Sequence, residues 1–215
     1  MKIKNLADNF KFFIFDFDGV IIDSVKIKND NFYNFFLSYG IDKANEVLDY
    51  HLNNLGINRY IKFDYIFKNI LKENIEVLEK KNLLNKFSEY SLNNLYKAKL
   101  IIGSYEFIKK LYEIGMKIFI ISASPQNELD LLLSKAKLNN YIIESLGSPV
   151  DKYDNFKYLK EKYNLETNKS VYFGDSLSDY KFSKFFNLSF VSVGPYLQNM
   201  KIDNYLKINN FSEIN

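Results

Sequence analysis

The stretch Phe12-Phe13-Ile14-Phe15-Asp16-Phe17-Asp18-Gly19-Val20-Ile21-Ile22-Asp23-Ser24 decides the fold. Its run of aromatic and β-branched residues predicts a fully buried strand. Asp16 and Asp18 stand where that run should leave the sheet. Burying a carboxylate without a partner is expensive, so chains rarely end a core strand with two. Gly19 then permits a tight turn that most residues resist. Two acids at the carboxyl end of a central strand point to a cation site, a nucleophile, or both. In open α/β sheets ligands bind in that region. The plainer alternative is an acidic turn with Asp18-Gly19 at its tip.

Working outward, residues from about 24 to 97 read as helical. Phe32, Phe35, Phe36 and Tyr39 fall at helical spacing and Gly40 can close that helix. Val47, Leu48, Leu52 and Leu55 predict a second, ending at Gly56. Ile61 to Ile70, Ile75 to Leu84 and Phe87 to Tyr96 predict three more. From residue 100 the pattern changes. Tyr105, Ile108, Leu111 and Tyr112 make a helix face ended by Gly115. Strands are expected over Lys117 to Ile121, Tyr141 to Leu146, Ser170 to Phe173 and Ser189 to Val193. Helices are expected between them, over Pro125 to Leu138, Asn155 to Tyr163 and Asp179 to Phe186. Such alternation argues for a parallel sheet.

Two further stretches carry chemistry. In Ile118-Phe119-Ile120-Ile121-Ser122-Ala123-Ser124-Pro125 a strand meets a helix start, with Ser124 expected as N-cap and Pro125 as first helical residue. Free backbone N–H groups there, with the Ser122 hydroxyl, would cradle a phosphate; an ordinary capped helix is the plainer reading. In Val171-Tyr172-Phe173-Gly174-Asp175-Ser176-Leu177-Ser178-Asp179 another apolar strand runs into an acid, and a second acid follows. Asp179 alone could simply favour a helix N-terminus. Beside Asp16 and Asp18 on a neighbouring strand, metal binding is the stronger expectation. Hard oxygen ligands without thiolate suit Mg²⁺.

Together these stretches resemble the haloacid dehalogenase superfamily, particularly its helical-cap phosphatases and β-phosphoglucomutase-like members. Phe-Asp-Phe-Asp-Gly-Val-Ile-x-Asp-Ser matches the first motif, Ser122 the second and Gly-Asp-x-x-x-Asp the fourth. Lys152, in the loop Gly147-Ser148-Pro149-Val150-Asp151-Lys152, stands where the third requires a lysine. The resemblance implies an α/β fold: a three-layer Rossmann-like core of parallel strands in the order 5-4-1-2-3. It places that core at 1–23 and 98–215, with an all-helical cap at 24–97. It implies Asp16 as nucleophile and Asp18 as general acid and base. Asp16, Asp175 and the Asp18 carbonyl would hold Mg²⁺, and Asp179 would brace metal-bound water or Lys152. Ser122, Ala123 and Lys152 would bind phosphate. In the cap, Asn58 is a natural N-cap, and Arg59 and Lys62 behind it would touch substrate, with His51 a weaker candidate. The implied activity is hydrolysis of a small phosphorylated metabolite, a sugar phosphate first. The alternatives are a hexose phosphomutase and a catalytically inactive binding protein. Asp18 argues against carbon–halogen chemistry, because dehalogenases lack this second acid.

Composition narrows the field further. The chain has 215 residues, no cysteine and a net charge of +3. Without cysteine there is no disulfide, no thiolate zinc site and no cysteine nucleophile, which fits a reducing cytoplasm. The small, interspersed charge gives no case for nucleic acid or membrane partners, and no apolar run is long enough to span a bilayer. The N-terminus has no apolar signal core. A cytoplasmic monomer or weak dimer is expected.

Overall fold

In the computed structural model, which describes residues 3–197 and 205–214, the run Phe12–Phe15 forms strand β1 with every side chain buried. A short helix not expected from the sequence, α1 (Ile3–Asn9), precedes it. Five more strands follow: β2 (Lys117–Pro125), β3 (Glu144–Ser148), β4 (Ser170–Gly174), β5 (Ser189–Val193) and β6 (Leu206–Ile208). All pair in parallel, in the order β3-β2-β1-β4-β5-β6. This is the expected α/β Rossmann-like order with one strand added beyond β5. Strand β3 starts later than expected because Asn139–Tyr141 turn as a 3₁₀ helix. Strand β2 runs on through Pro125 rather than stopping at Ile121.

By its contacts the chain divides into two units, Met1–Asp23 with Lys99–Asn215, and Ser24–Ala98. The second is helical throughout its regular structure: α2 (Val25–Phe36), α3 (Ile41–Asn53), α4 (Arg59–Tyr65), a π-helical turn Ile66–Leu71, and α5 (Val77–Leu95). Asn58 caps α4, its side chain accepting from the Ile61 N–H at 3.1 Å. Two helices were expected where α5 is continuous, because Asn85 and Lys86 between the two apolar runs do not break a helix. The core of this unit is aromatic: Phe32, Phe36, Phe63, Phe67 and Phe87 pack with Val47, Ile66 and Ile70.

The sheet unit resumes with α6 (Ser104–Glu113), α7 (Gln126–Lys135), α8 (Lys152–Tyr163) and α9 (Leu177–Phe185). On one face of the sheet, Phe12, Ile14, Phe119, Ile121 and Tyr172 pack with Phe156 and Leu159 of α8 and Phe182 of α9. On the other, Phe15 stacks on its strand neighbour Phe173 at 4.6 Å, with Phe107 of α6 and Phe211 alongside. The chain leaves this unit and returns to it side by side. The Asp23 N–H donates to the Lys99 carbonyl at 2.8 Å and the Ile101 N–H to the Ile21 carbonyl at 2.9 Å. Ile22 and Leu100 form an antiparallel bridge between those bonds.

Candidate active site

Parallel pairing puts equivalent strand ends at one height. Phe15 lies opposite Phe173, so Asp16 and the Gly174-Asp175 end of β4 emerge together. The Asp16 N–H extends the ladder by one bond, to the Phe173 carbonyl at 2.8 Å. Gly19 takes φ +74° in the turn that carries Asp18 back toward Ile22, a conformation that favours glycine. Gly174 is needed for another reason: a Cβ there would lie 2.3 Å from Asp179 Cβ.

Side-chain oxygens of Asp16, Asp175 and Asp179 lie within 4.8 Å of one another, and all three residues are buried. Lys152, at the first position of α8, sits among them. Its Nζ is 2.9 Å from Asp16 Oδ2 and 2.8 Å from Asp179 Oδ1. The sequence predicted α8 from Asn155; its earlier start follows from Asp151, whose side chain caps the helix by accepting the Asp154 N–H. Asp16 Oδ1 accepts the Phe17 N–H at 2.7 Å. Both Asp179 oxygens are well occupied. Oδ1 accepts from Lys152 and from the Tyr172 hydroxyl at 3.0 Å; Oδ2 accepts from the Ser176 N–H at 3.1 Å and its hydroxyl at 2.6 Å. Ser176 and Asp179 thereby close a capping box on α9.

The electrostatics follow from burying several acids around one base. Burial pushes the Asp16 carboxyl up to about 7; Asp179 and Asp18 add to the rise and Lys152 opposes it. Asp175 is raised well above the carboxylate range, by burial and then by Asp179 and Asp16. Burial also acts on Asp179, but Lys152 and the hydrogen bonds of Lys152, Ser176 and Tyr172 outweigh it and hold that group low. Burial disfavours the Lys152 ammonium, yet Asp16 and Asp179 hold it well above the usual lysine value. Fully ionised, the cluster would carry more negative charge than Lys152 balances, and the raised Asp16 and Asp175 register burial and that repulsion. Repulsion of this kind is what a divalent cation relieves. With oxygen donors only, the residues present fit Mg²⁺ better than a softer metal.

At the end of β2, Ser122 is buried and Ala123 half-buried. Here the structure corrects one expectation. Helix α7 starts at Gln126 without a side-chain cap, so Ser124 is not its N-cap. The Ser124 hydroxyl instead donates to Asp18 Oδ2 at 2.7 Å, and its N–H donates to the Ser122 hydroxyl oxygen at 3.1 Å. Ser124 and Tyr172 reach the acid cluster with their hydroxyls, contacts that sequence reasoning missed. The signals were faint: a second serine after Ser122, and a tyrosine in the middle of a largely apolar strand.

Arg59 and Lys62 lie on α4 of the helical unit, both buried. Arg59 donates to Ser88 Oγ at 2.8 Å and covers the Phe87 ring. Lys62 Nζ is 2.8 Å from His51 Nδ1, while His51 Nε2 is 3.1 Å from Asn29 Oδ1. If Lys62 donates, the His51 ring carries its proton on Nε2 and gives it to Asn29. His51 also stacks on Phe32 at 4.1 Å. Burial, then Lys62 and Lys28, push the imidazole down to about 2. Burial, then Lys28 and Arg59, push Lys62 down to about 7.

Known structures share this architecture at low sequence identity. A predicted phosphoglycolate phosphatase from Haemophilus somnus 129PT is 17% identical over 95% of this chain and 96% of its own, with a TM-score of 0.72. CbbY from Rhodobacter sphaeroides, in complex with phosphate, is 13% identical over 95% and 96%, with a TM-score of 0.75. A mutant of CbbY in complex with xylulose-(1,5)bisphosphate gives 12% identity over the same shares and a TM-score of 0.75. No curated protein matches the sequence. At these identities the likenesses establish the fold alone. The sequence itself goes further, because the family model described as haloacid dehalogenase-like hydrolase matches residues 13–193, from within β1 to the end of β5. Since that span takes in every acid of the cluster, its lysine and the whole helical insert, this chain belongs to the haloacid dehalogenase-like hydrolases.

Proposed function

We propose that this protein is a Mg²⁺-dependent phosphatase that hydrolyses a small phosphorylated metabolite, a sugar phosphate being the first choice, through an aspartyl-phosphate intermediate. The observation that carries this reading is the pairing of two acids on one turn with different surroundings. Asp16 is buried against Lys152, whereas Asp18 is half-buried and held by the Ser124 hydroxyl. One suits a nucleophile and the other a proton carrier. In the first step an Asp16 carboxylate oxygen bonds to phosphorus, and the phosphorus–oxygen bond to the leaving group breaks. Asp18 gives its proton to that leaving oxygen. In the second step Asp18 takes a proton from water, whose oxygen attacks phosphorus. Phosphate departs and the Asp16 carboxylate is restored. Lys152, Ser122 and the amides around Ala123 stabilise the phosphoryl oxygens throughout. Asp16, Asp175 and the Asp18 carbonyl would hold Mg²⁺, which would neutralise charge on the transferring group.

Phosphate release should therefore depend on Mg²⁺ and stop in excess chelator. Mg²⁺ should also raise the melting temperature, with about 2.7 kcal/mol of added stability at a hundredfold excess over its Kd. Asp175→Ala should lose that rise. Full turnover in chelator would refute the reading.

Arg59 and Lys62 are proposed to recognise polar groups of the leaving part. What supports this is the energetic cost of Lys62: a buried ammonium whose described partners are an imidazole and an aromatic ring, with no carboxylate. Groups so unfavourable to stability are often kept for function. Lys62 of the folded chain sheds its proton near pH 7, while the unfolded chain holds it up to the ordinary lysine value of 10.5. The penalty is thus full below pH 7, and stability rises with pH between those values. Lys62→Met should flatten that rise, by on the order of a few kcal/mol across the range, as read by denaturant unfolding at several pH values. It should also raise KM for the true metabolite while leaving a small aryl phosphate nearly unaffected. Equal losses on both substrates would assign Lys62 to folding alone.

A further inference from the structure

Tyr172 has no part in the reaction as written above, yet its hydroxyl stands inside the charged cluster. Its ring belongs to the core: fully buried on β4, opposite Ile14 and Phe190, and 4.8 Å from the ring of Phe182. Packing there requires only the ring, and the neighbouring strand position is filled by phenylalanine, Phe190. A buried hydroxyl is costly unless it is bonded. Here it is bonded twice: it donates to Asp179 Oδ1 at 3.0 Å and accepts from Lys152 Nζ at 3.3 Å.

We propose that Tyr172 is a positioning residue, whose hydroxyl fixes Lys152 and Asp179 so that the Lys152 ammonium stays aimed at Asp16 through both chemical steps. The proposal rests on the phosphatase reading. An ammonium has three protons, and Lys152 has three oxygen partners: Asp16 Oδ2 at 2.9 Å, Asp179 Oδ1 at 2.8 Å and the Tyr172 hydroxyl at 3.3 Å. The partner set is therefore complete, and each direction around Nζ is defined. The lysine stem has several rotatable bonds and loses much freedom when held. The tyrosine ring, clamped by the core, gives the hydroxyl a fixed place at no comparable expense. The consequence appears when Asp16 becomes esterified. Its carboxylate charge is then spent, and one of the three holds on the ammonium weakens. Tyr172 and Asp179 retain the other two. The ammonium thus remains beside the phosphoryl group for the second step instead of relaxing toward Asp179 alone.

The test is Tyr172→Phe, which keeps the ring and removes the hydroxyl. Turnover of a small aryl phosphate with Mg²⁺ should fall about 10- to 100-fold, the usual effect of a misplaced catalytic group. KM should change by less than about threefold, because ground-state binding is spared. The melting temperature should stay within about 5 °C of the parent. Tyr163→Phe, which removes a hydroxyl bonded to Glu144 on the sheet edge, should leave kcat unchanged. The ammonium itself gives a readout independent of turnover. Nitrogen-15 NMR should show the Lys152 ammonium as a slowly exchanging signal in the parent, and shifted or lost by faster exchange in Tyr172→Phe. Unaltered kcat, a fall in stability that accounts for the loss, or an unfolded variant would each overturn the proposal. If the parent itself releases no phosphate from any monoester, the phosphatase reading fails instead. An unchanged ammonium signal would then overturn the positioning role, and a changed one would support it.

Discussion

Asp16→Asn should yield a folded protein with less than about a hundredth of the parent turnover, the usual scale for loss of a covalent nucleophile. The fold should survive for reasons visible in the site. The amide is nearly the same shape, and its oxygen can still accept the Phe17 N–H that Asp16 Oδ1 accepts at 2.7 Å. Lys152 loses one acceptor but keeps Asp179 and Tyr172. Removing one of several mutually repelling carboxylates offsets part of that loss, since burial and the neighbouring acids already push the Asp16 carboxyl up to about 7. Chemistry has no such reserve: an amide oxygen does not form a stable bond to phosphorus and be released again. Thermal unfolding and phosphate release on the same preparation check both halves. A folded variant with appreciable turnover would remove Asp16 from the nucleophile's role.

Asp18→Asn should lose about 10²- to 10⁴-fold in steady-state turnover, through lost proton transfer. Its kinetic signature should differ from that of Asp16→Asn. An aryl phosphate with an acidic leaving group needs little protonation to depart, so the first step should still proceed. The second step needs Asp18 to take a proton from water whatever the leaving group was. The variant should therefore release a burst approaching one equivalent of the phenol per chain and then stall. Asp16→Asn should show no burst. Absence of a burst with every leaving group would place Asp18 outside the second step. The Ser124 hydroxyl, which donates to Asp18 Oδ2 at 2.7 Å, should still find an oxygen in the amide, so the turn geometry is expected to hold.

The sheet and the acids were legible because both leave strong local marks. Apolar β-branched and aromatic runs announce buried strands, and a carboxylate at the end of such a run demands an explanation. Asp16 and Asp175 could be read on those grounds, as could the helical character of the insert. What was not legible depends on which distant residues meet. Ser124 looked like a helix cap, since Ser-Pro before a helix usually is one. That its hydroxyl turns to an acid 106 positions away is a fact of strand pairing, invisible in the local sequence. Tyr172 read as strand filling until the reach of its hydroxyl to Lys152, 20 positions earlier, was seen. Lys152 was one of many lysines and was singled out by the family resemblance alone; its ion pairs with Asp16 and Asp179 come from the fold. The burial of Lys62 against His51 could not be read either, because helix periodicity says which face is apolar but not which polar side chain it encloses.

The adjoining exit and re-entry of the chain, where Asp23 and Lys99 share a hydrogen bond of 2.8 Å, have a bearing on heredity. Everything between them is, for the sheet, a loop whose two ends are already joined. The entropy of closing such a loop rises only logarithmically with its length, by about 0.6 kcal/mol for each doubling. An insert at this point can thus grow, shrink or be exchanged for unrelated sequence without straining the strands that carry the acids. Lineages descending from one such ancestor are then free to diverge in this segment while the sheet stays fixed, so resemblance between relatives should be uneven along the chain. Grafting another insert between Asp23 and Lys99 is the laboratory counterpart of that history.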